Sequence, residues 1–349
     1  MSYLSSNVLF LGAGASNPWG LPLMSEFFQL VKQNIGSANI DAFSLFEKNN
    51  ITDLEDILEL INAHSASHVI RMELEPPIKG AIQFVGNDIY YKEDDIYHRL
   101  GNPTTFLSGL HRLKRYLERQ IFISLRKYDR DRAFQSLQRI SSKICINKKL
   151  TIFTTNYDLV IEDLCREMKW ILTDGFAVET GDPSHTLLWD SKKYVHVENQ
   201  NPSIVLFKLH GSINWRRIED GIIKATDVIP PPIYHDPEQP EHILIYPARR
   251  KVASEDPFFS CYNALQRTLD EANLCVFIGY SFRDYDCLNR IQSSLLHNKN
   301  LRILICDLRA TDLKDEFFGI NDRVLCFEGA FGMDDAWFDG FKEKLEEIS

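Results

Sequence analysis

The sequence lacks paired cysteines, a long apolar run and an excess of basic residues, and each absence excludes a class of protein. Its seven cysteines are spread from Cys145 to Cys326 without a CxxC pair, which excludes a zinc ribbon and a disulfide framework. No stretch approaches the roughly 18 apolar residues of a membrane span, and no basic-then-apolar signal opens the chain. We therefore expect a cytoplasmic protein with buried thiols, without bound zinc and without membrane contact.

The charge balance is acidic. The 349 residues include 39 Lys and Arg against 49 Asp and Glu, for a net charge of -10. Such a chain repels nucleic acid unless basic residues are concentrated in one place. The most basic stretches, 111–120 and 126–132, also contain acidic residues, which is typical of solvated helix faces. We expect no direct binding of nucleic acid.

What the sequence does contain is a series of short apolar runs followed by helical patterns. With 44% hydrophobic residues, the chain can form one large domain or two ordinary ones. Apolar runs that alternate with helices predict an α/β fold, here a Rossmann-like parallel sheet with helices on both faces. The predicted strands are 8–11, 150–155, 204–209, 242–246, 274–279, 301–306 and 323–327.

Residues 41–145 break this alternation. Three helical patterns, 51–64, 104–127 and 131–145, surround a turn-rich stretch at 86–103. We interpret this region as a helical insertion between the first two sheet strands. The predicted organisation is therefore a Rossmann-like domain formed by 1–40 and 146–349, interrupted by the helical insertion 41–145.

The first strand runs directly into Gly12-Ala13-Gly14-Ala15-Ser16. A strand, a glycine turn and a helix together bring backbone amides close to a pyrophosphate. The dehydrogenase fingerprint needs a third glycine at position 17, where this chain has Asn17, and an acidic residue after a second strand. A Walker A loop needs Gly-Lys-Ser/Thr, which is also absent. Alone, the stretch is also consistent with a tight strand–helix turn that binds nothing.

Three other strand ends carry small or polar residues in the same way. They are TTNYD (154–158), HGS (210–212) and GYS (279–281). The carboxyl ends of parallel strands lie at one edge of the sheet, where α/β proteins bind ligands. Any one of these ends could be a cap or a turn, and a lone histidine is usually structural. Four such ends together predict one ligand-binding crevice.

The order GAGAS, TTNYD, KLHGSINW and FIGYSFRD resembles the sirtuin core. It resembles more closely the sirtuin-like NAD hydrolases of bacterial anti-phage defence systems. NPWGLP (17–22) and TDLEDILELI (52–61) are similar to segments of the same branch. The resemblance extends over residues 7–60 and 150–310, and it covers four motifs in the same order.

The resemblance implies cleavage of NAD⁺ between nicotinamide and ribose, with NAD as the substrate. His210 would be the general base on a ribose hydroxyl or the attacking water, and an imidazole suits that role. Asn156 would position that water or hydroxyl, and Asp158 would hold the nicotinamide carboxamide. For Asp307 a helix N-cap is an equal alternative. The remaining cofactor-binding positions would be Gly12, Ala13, Gly14, Ser16, Thr155, Gly279, Ser281 and Asp307.

Departures from the family keep other functions open. Deacetylating sirtuins have a zinc module with two Cys pairs after the His-Gly, and none exists here. Thr155 and Tyr157 also replace the family's Gln and Ile. An NAD-dependent protein deacylase or ADP-ribosyltransferase is therefore disfavoured but remains an alternative. A non-catalytic sensor of NAD or ADP-ribose is a third, although a sensor does not need both Asn156 and His210.

An enzyme that destroys NAD⁺ is toxic when always active, so the resemblance also implies regulation. The expected means are homo-oligomerisation or a separately encoded regulator such as a HerA-like ATPase. No metal site is predicted, because His64 and His68 at helical spacing lack a third ligand. For Arg283 a phosphate contact and a local ion pair remain open, and Asp284 could pair with it or cap a helix.

Overall fold

The computed structural model describes a large part of the chain, and all structural statements below concern that part. The described residues are 7–35, 43–44, 46–47, 57–58, 82–85, 88–93, 96–101, 103–176, 187–198, 200–225, 228, 230, 241–244, 255–332 and 334–348. All predicted site residues lie in these ranges. The predicted helix 51–64 lies mostly outside them, as do His64 and His68.

The strands of the described residues are mostly short. In chain order they are β1 (Asn7–Leu11), β2 (Ile82–Val85), β3 (Asp88–Glu93), β4 (Ile96–Gly101), β5 (Lys149–Thr154), β6 (Ile171–Thr173), β7 (Leu187–Leu188), β8 (Ser203–Lys208), β9 (Gly211–Ile218), β10 (Gly221–Lys224), β11 (Glu241–Leu244), β12 (Leu274–Ile278), β13 (Arg302–Asp307) and β14 (Val324–Glu328).

The α-helices range from one turn to six. In chain order they are α1 (Ala13–Ser16), α2 (Met24–Asn34), α3 (Pro103–Ser124), α4 (Arg130–Ile144), α5 (Val160–Glu167), α6 (Phe258–Glu271), α7 (Tyr285–His297), α8 (Ala310–Phe317) and α9 (Asp335–Ile348). Among the described residues, no helix is both long enough and apolar enough to cross a bilayer.

A seven-stranded parallel sheet confirms the predicted Rossmann-like α/β fold. Its strand order is β14-β13-β12-β1-β5-β8-β6, and every neighbouring pair is parallel. The chain moves from β1 to β5 and β8 on one side, and it later places β12 against the other side of β1. The carboxyl ends of the neighbouring strands β1 and β12 therefore form the switch point at which open α/β sheets bind ligands.

Both faces of this sheet are covered. Every residue of β8 and of β12 is buried, without the alternation of a strand that has one face in water. Phe10 belongs to a core cluster with Leu265 of α6 and Ile291 of α7. The preceding residue, Leu9, points to the opposite face and is buried as well. The strand ends are thus held by a packed layer on each side.

A second sheet corrects one strand prediction. Residues 242–246 were expected in the parallel sheet, but β11 pairs antiparallel with β9. The strand order of this four-stranded sheet is β11-β9-β10-β7. After β8 the chain turns at Leu209-His210, continues as β9 from Gly211 and turns again at Glu219-Asp220 into β10. Antiparallel strands need only such short turns, whereas a parallel pair needs a crossover of a dozen residues or more.

The described chain divides into two compact units. One contains residues 1–22, 125–228 and 240–349, and it holds both sheets described above. The other contains residues 23–124 and 229–239. In this second unit, β2, β3 and β4 form an antiparallel sheet where the sequence indicated a turn-rich stretch. The domain boundaries given above, with an insertion at 41–145, stay a prediction.

Candidate active site

The ends of β1 and β12 approach each other through glycines. The Gly12 amide donates to the Ile278 carbonyl at 3.0 Å, and the Gly14 amide donates to the Gly279 carbonyl at 2.9 Å. A Cβ on Gly12 would lie 2.4 Å from the Gly279 oxygen. Gly279 has a φ of 59°, and a Cβ there would lie 2.2 Å from the Ala15 nitrogen. Only glycine fits at these two positions.

This contact alters the predicted role of the glycine loop. The amides of Gly12 and Gly14 donate to the end of β12, so they tie two strand ends together. Ala13 lies between them and is exposed, while Ser16 is buried. The accessible surface of the loop at the switch point therefore carries no side chain larger than the Ala13 methyl group.

Asn156, Ser16 and Asp158 form one hydrogen-bonded chain beside this loop. The Asn156 amide nitrogen donates to the Gly12 carbonyl and to the Ser16 hydroxyl, each at 3.0 Å. The Ser16 hydroxyl donates to Oδ2 of Asp158 at 3.1 Å. Oδ1 of Asp158 accepts from the Val160 amide at 3.0 Å, at the start of α5. Three predicted site residues from two strand ends thus come together.

Thr155 fixes the position of this chain through its backbone. Its amide donates to the Leu11 carbonyl at 3.2 Å. The neighbouring Thr154 hydroxyl donates to the same carbonyl at 2.9 Å and accepts from the Asn156 amide at 3.0 Å. The turn after β5 is therefore anchored to β1 at the point where Asn156 leaves the strand.

His210 lies at the end of β8 and is bound to a carboxylate. Its Nε2 is 2.7 Å from Oδ2 of Asp284, and both side chains are buried. The Tyr262 hydroxyl donates to the same Oδ2 at 2.8 Å, and the Cys287 amide donates to Oδ1 at 3.0 Å. Burial alone would raise the pKa of Asp284, but the hydrogen bonds and the His210 charge outweigh it and hold this pKa below its usual range.

Lys208 connects the end of β8 with the turn after β5. Its ammonium donates to the backbone carbonyl of Asp158 and lies 3.1 Å from Oε1 of Glu162. Both side chains of this ion pair are about 2–3% exposed. A charge buried to this extent strongly destabilises the fold when it has no partner. Burial raises the pKa of Glu162 and the Lys208 charge opposes that shift. Lys208 therefore holds the turn after β5 against the strand that carries His210.

Ser281 follows the end of β12, and Asp307 is the last residue of β13. Ser281 is half-buried, one residue before Phe282, which has a φ of 56°. Oδ1 of Asp307 accepts from the Arg309 amide at 2.9 Å, just before α8. Burial raises the pKa of Asp307, opposed by that hydrogen bond and the Arg309 charge. The Asp307 side chain thus closes a local turn, which is close to the cap alternative.

The sequence did not reveal three members of this edge. It left Asp284 as a cap or ion-pair residue, whereas this carboxylate both caps α7 and binds His210. It gave no indication of Tyr262 or Lys208. The one available signal was an acidic residue just after the GYS turn, because such a residue lies at the same edge as His210.

No group of three or more His, Cys, Asp or Glu side chains in the described part of the chain could hold a metal ion. The seven cysteines all lie in that part, and each is free. Those on β12, β13 and α7 are buried, and burial raises their thiol pKa values, so they are inert neutral thiols.

The family comparison agrees with this arrangement. Residues 150–315 match the model of the SIR2-like domain, so this part of the chain is similar to that domain. That range includes β5, β8, β12 and β13, with Asn156, His210 and Asp284. A search of curated protein sequences found no match.

Solved structures of Sir2 proteins are similar at low identity. One is a Sir2 homologue in complex with NAD, at 13% identity and a TM-score of 0.46, covering 98% of this chain and 90% of the other. Another is a mutant Sir2 homologue with 2'-O-acetyl ADP-ribose, at 13% identity and a TM-score of 0.46, covering 98% of this chain and 93% of the other. A third is a mutant Sir2 homologue with ADP-ribose, at 15% identity and a TM-score of 0.42, covering 97% of this chain and 93% of the other.

Proposed function

We propose that this protein is an NAD⁺ hydrolase that cleaves the bond between nicotinamide and ribose. The observation that carries the proposal is the buried His210–Asp284 pair, at 2.7 Å, on the same sheet edge as Asn156. A histidine held by a carboxylate is an arrangement for moving a proton. The SIR2-like match over 150–315 makes NAD⁺ the substrate for which such an edge is suited.

The reaction consumes water and releases three products. The glycosidic C–N bond breaks, its electron pair stays on nicotinamide, and the ribose carbon develops oxocarbenium character. Water then forms the new C–O bond, and its proton leaves to give nicotinamide, ADP-ribose and one proton. His210 is the group that takes this proton. The protein must therefore place one water and exclude others.

The other predicted residues orient the substrate in this proposal. Asn156 is fixed by its bonds to Gly12 and Ser16, so its remaining amide oxygen can align a water or a ribose hydroxyl. Ala13, which is exposed between Gly12 and Gly14, is the part of the loop against which a pyrophosphate would lie. Ser281 and Asp307 extend the same edge towards the adenosine half. Asp158, which is bound to Ser16, would hold the carboxamide at the nicotinamide end of the site.

The test is product analysis with purified protein. NAD⁺ is incubated with and without an acylated peptide, and products are separated by chromatography. We expect nicotinamide and ADP-ribose without the peptide. Product formed only with the peptide would identify a deacylase, and ADP-ribose attached to protein would identify a transferase. Binding of NAD⁺ without any product, even in concentrated samples, would identify a sensor.

Two substitutions and their matched controls assign the roles. His210→Ala and Asn156→Ala should each lower turnover at least 100-fold, since general base catalysis contributes about 10²–10⁴-fold. His297→Ala and Asn273→Ala remove the same side chains from exposed positions and should leave turnover unchanged. A His210→Ala enzyme with full turnover would remove the basis of the proposal.

We also propose that the hydrolase is a regulated, NAD-depleting effector in anti-phage defence. Its support is the motif resemblance and the toxicity of unregulated NAD⁺ loss. The expected control is self-assembly or a separate partner such as a HerA-like ATPase. Light scattering with simultaneous turnover measurement tests this, and a specific activity that is independent of protein concentration and partner would contradict it.

A further inference from the structure

We propose that Asp284 is a positioning residue that holds His210 in a single tautomer, with Nε2 protonated and Nδ1 left as the proton acceptor. Tyr262 holds Asp284 in place for this task. The catalytic consequence rests on the proposed function. The tautomer does not, because it can be measured in the absence of substrate.

The hydrogen bonds at Asp284 require this tautomer. Oδ2 accepts from the Tyr262 hydroxyl at 2.8 Å and lies 2.7 Å from Nε2 of His210, while Oδ1 accepts from the Cys287 amide at 3.0 Å. The Tyr262 hydroxyl and the Cys287 amide thus supply one donor to each oxygen, and the pKa of Asp284 is held below its usual range, so the carboxyl group is ionised. An ionised carboxylate can only accept hydrogen bonds. The proton between the two side chains consequently belongs to Nε2, and a neutral His210 has its lone pair on Nδ1.

Tyr262 can only be a donor here. Its side chain is buried, and burial raises the pKa of its phenol well above the usual value, with Cys287 and Asp284 adding to the shift. The phenol therefore keeps its proton, and Oδ2 of Asp284 always faces a hydrogen from α6. This second bond prevents the carboxylate from rotating away from His210.

Helix capping alone does not explain these contacts. Asp129 caps α4 through one bond to the Arg132 amide at 3.1 Å and is exposed. Asp284 makes the equivalent bond to Cys287 with one oxygen, and its other oxygen faces His210, which is 74 residues away in sequence. A cap does not require a buried carboxylate with a second acceptor in use. The additional bonds point to the control of His210.

The first experiment measures the tautomer directly. The full chain is labelled with ¹⁵N in its histidine rings, and the His210 signals are identified by their loss in His210→Ala. In the neutral form of the ring, which is reached by raising the pH until its signals no longer change, we expect a protonated Nε2 and an unprotonated Nδ1. In Asp284→Asn the amide can donate or accept, so the tautomer should become mixed or reversed. A protonated Nδ1 in the wild type, or an unchanged tautomer in Asp284→Asn, would overturn the proposal.

The second experiment compares kinetics. Asp284→Asn should lower kcat about 100-fold with little change in KM, because the base is misoriented while substrate contacts remain. Tyr262→Phe should lower kcat several-fold in the same pattern. Asp129→Asn makes the same substitution at a cap without a histidine partner and should match the wild type. If Asp284→Asn does not fold, the wild-type tautomer decides the role of Asp284. Tyr262→Phe decides the role of Tyr262, and an unchanged kcat and tautomer in this variant would refute that role.

The two proposals fail in distinguishable ways. A wild-type protein without NAD⁺ turnover but with the Nε2-protonated tautomer would contradict the hydrolase and leave the positioning role intact. Full turnover in Asp284→Asn would do the reverse, since it would leave the hydrolase intact and remove the positioning role.

Discussion

The two sides of the sheet edge are constructed in different ways. At the glycine side, formed by Gly12, Gly14 and Gly279, main chain contacts main chain and no ionisable side chain takes part. At the histidine side, formed by His210, Asp284 and Tyr262, three buried side chains from separate elements meet. The first side depends on the absence of Cβ atoms and the second on a charge. Substitutions should therefore damage them through different physical causes.

The largest effect is expected at Gly279. Gly279→Ala places a Cβ against the Gly14–Ala15 backbone at a left-handed φ, so it should destabilise the protein by about 3 kcal/mol or more and abolish activity. Gly319 has a similar φ of 57° with no atom near its Cβ position. Gly319→Ala should cost only about 1–2 kcal/mol. If urea unfolding shows equal losses of stability in the two variants, the close approach of Gly279 to the Gly14–Ala15 backbone is unimportant.

Lys208 tests the buried ion pair that holds the turn after β5 against the strand that leads to His210. Lys208→Met leaves the buried Glu162 without its partner and frees the Asp158 carbonyl, so we expect a loss of roughly 3–5 kcal/mol. The double variant Lys208→Met/Glu162→Met should recover most of that stability, because no unpaired charge remains. Lys344→Met breaks an exposed pair and should change unfolding by less than about 0.5 kcal/mol. A double variant no better than the single one would contradict the ion-pair explanation.

A smaller effect is expected at Ser16, which lies between Asn156 and Asp158. Ser16→Ala removes the hydroxyl that donates to Asp158 and accepts from Asn156. The free energy of unfolding should fall by about 1–3 kcal/mol. Ser142→Ala removes an exposed hydroxyl that donates to Arg139 and should cost less than about 0.5 kcal/mol. Thermal unfolding of both variants provides the comparison, and equal shifts would mean that the Ser16 bonds add nothing.

The smallest effect concerns pH and lies away from the edge. Burial and then the Lys149 charge lower the pKa of His196 to about 4. Since the unfolded side chain titrates near pH 6.5, the unfolded state gains a proton first, and stability falls as the pH drops from about 7 towards 4. His196→Gln should lose less stability than the wild type between pH 7 and pH 5. Exposed His297→Gln is the control and should lose as much stability as the wild type over this interval. An identical loss in His196→Gln would rule out the contribution of His196.

The sequence predicted the glycine side better than the histidine side, because the glycines directly follow apolar strand runs, whereas the contact between His210 and Asp284 is made by side chains after their strands have ended. Buried runs such as 8–11 and 274–279 end in Gly12 and Gly279, so their register places the glycines side by side. Asp284 meets His210 across 74 residues, and no local pattern encodes that contact. Strand β6 has only three residues, too few for a periodicity. The apolar run at 242–246 was misassigned because an apolar run does not reveal strand direction.

The most direct test of the account is the release of nicotinamide from NAD⁺ by the purified full chain without any acyl acceptor, measured beside His210→Ala at the same protein concentration. The account predicts nicotinamide and ADP-ribose in equal amounts from the wild type, and at least a 100-fold lower rate from His210→Ala. Equal rates from the two proteins, or release that requires an acylated peptide, would contradict it.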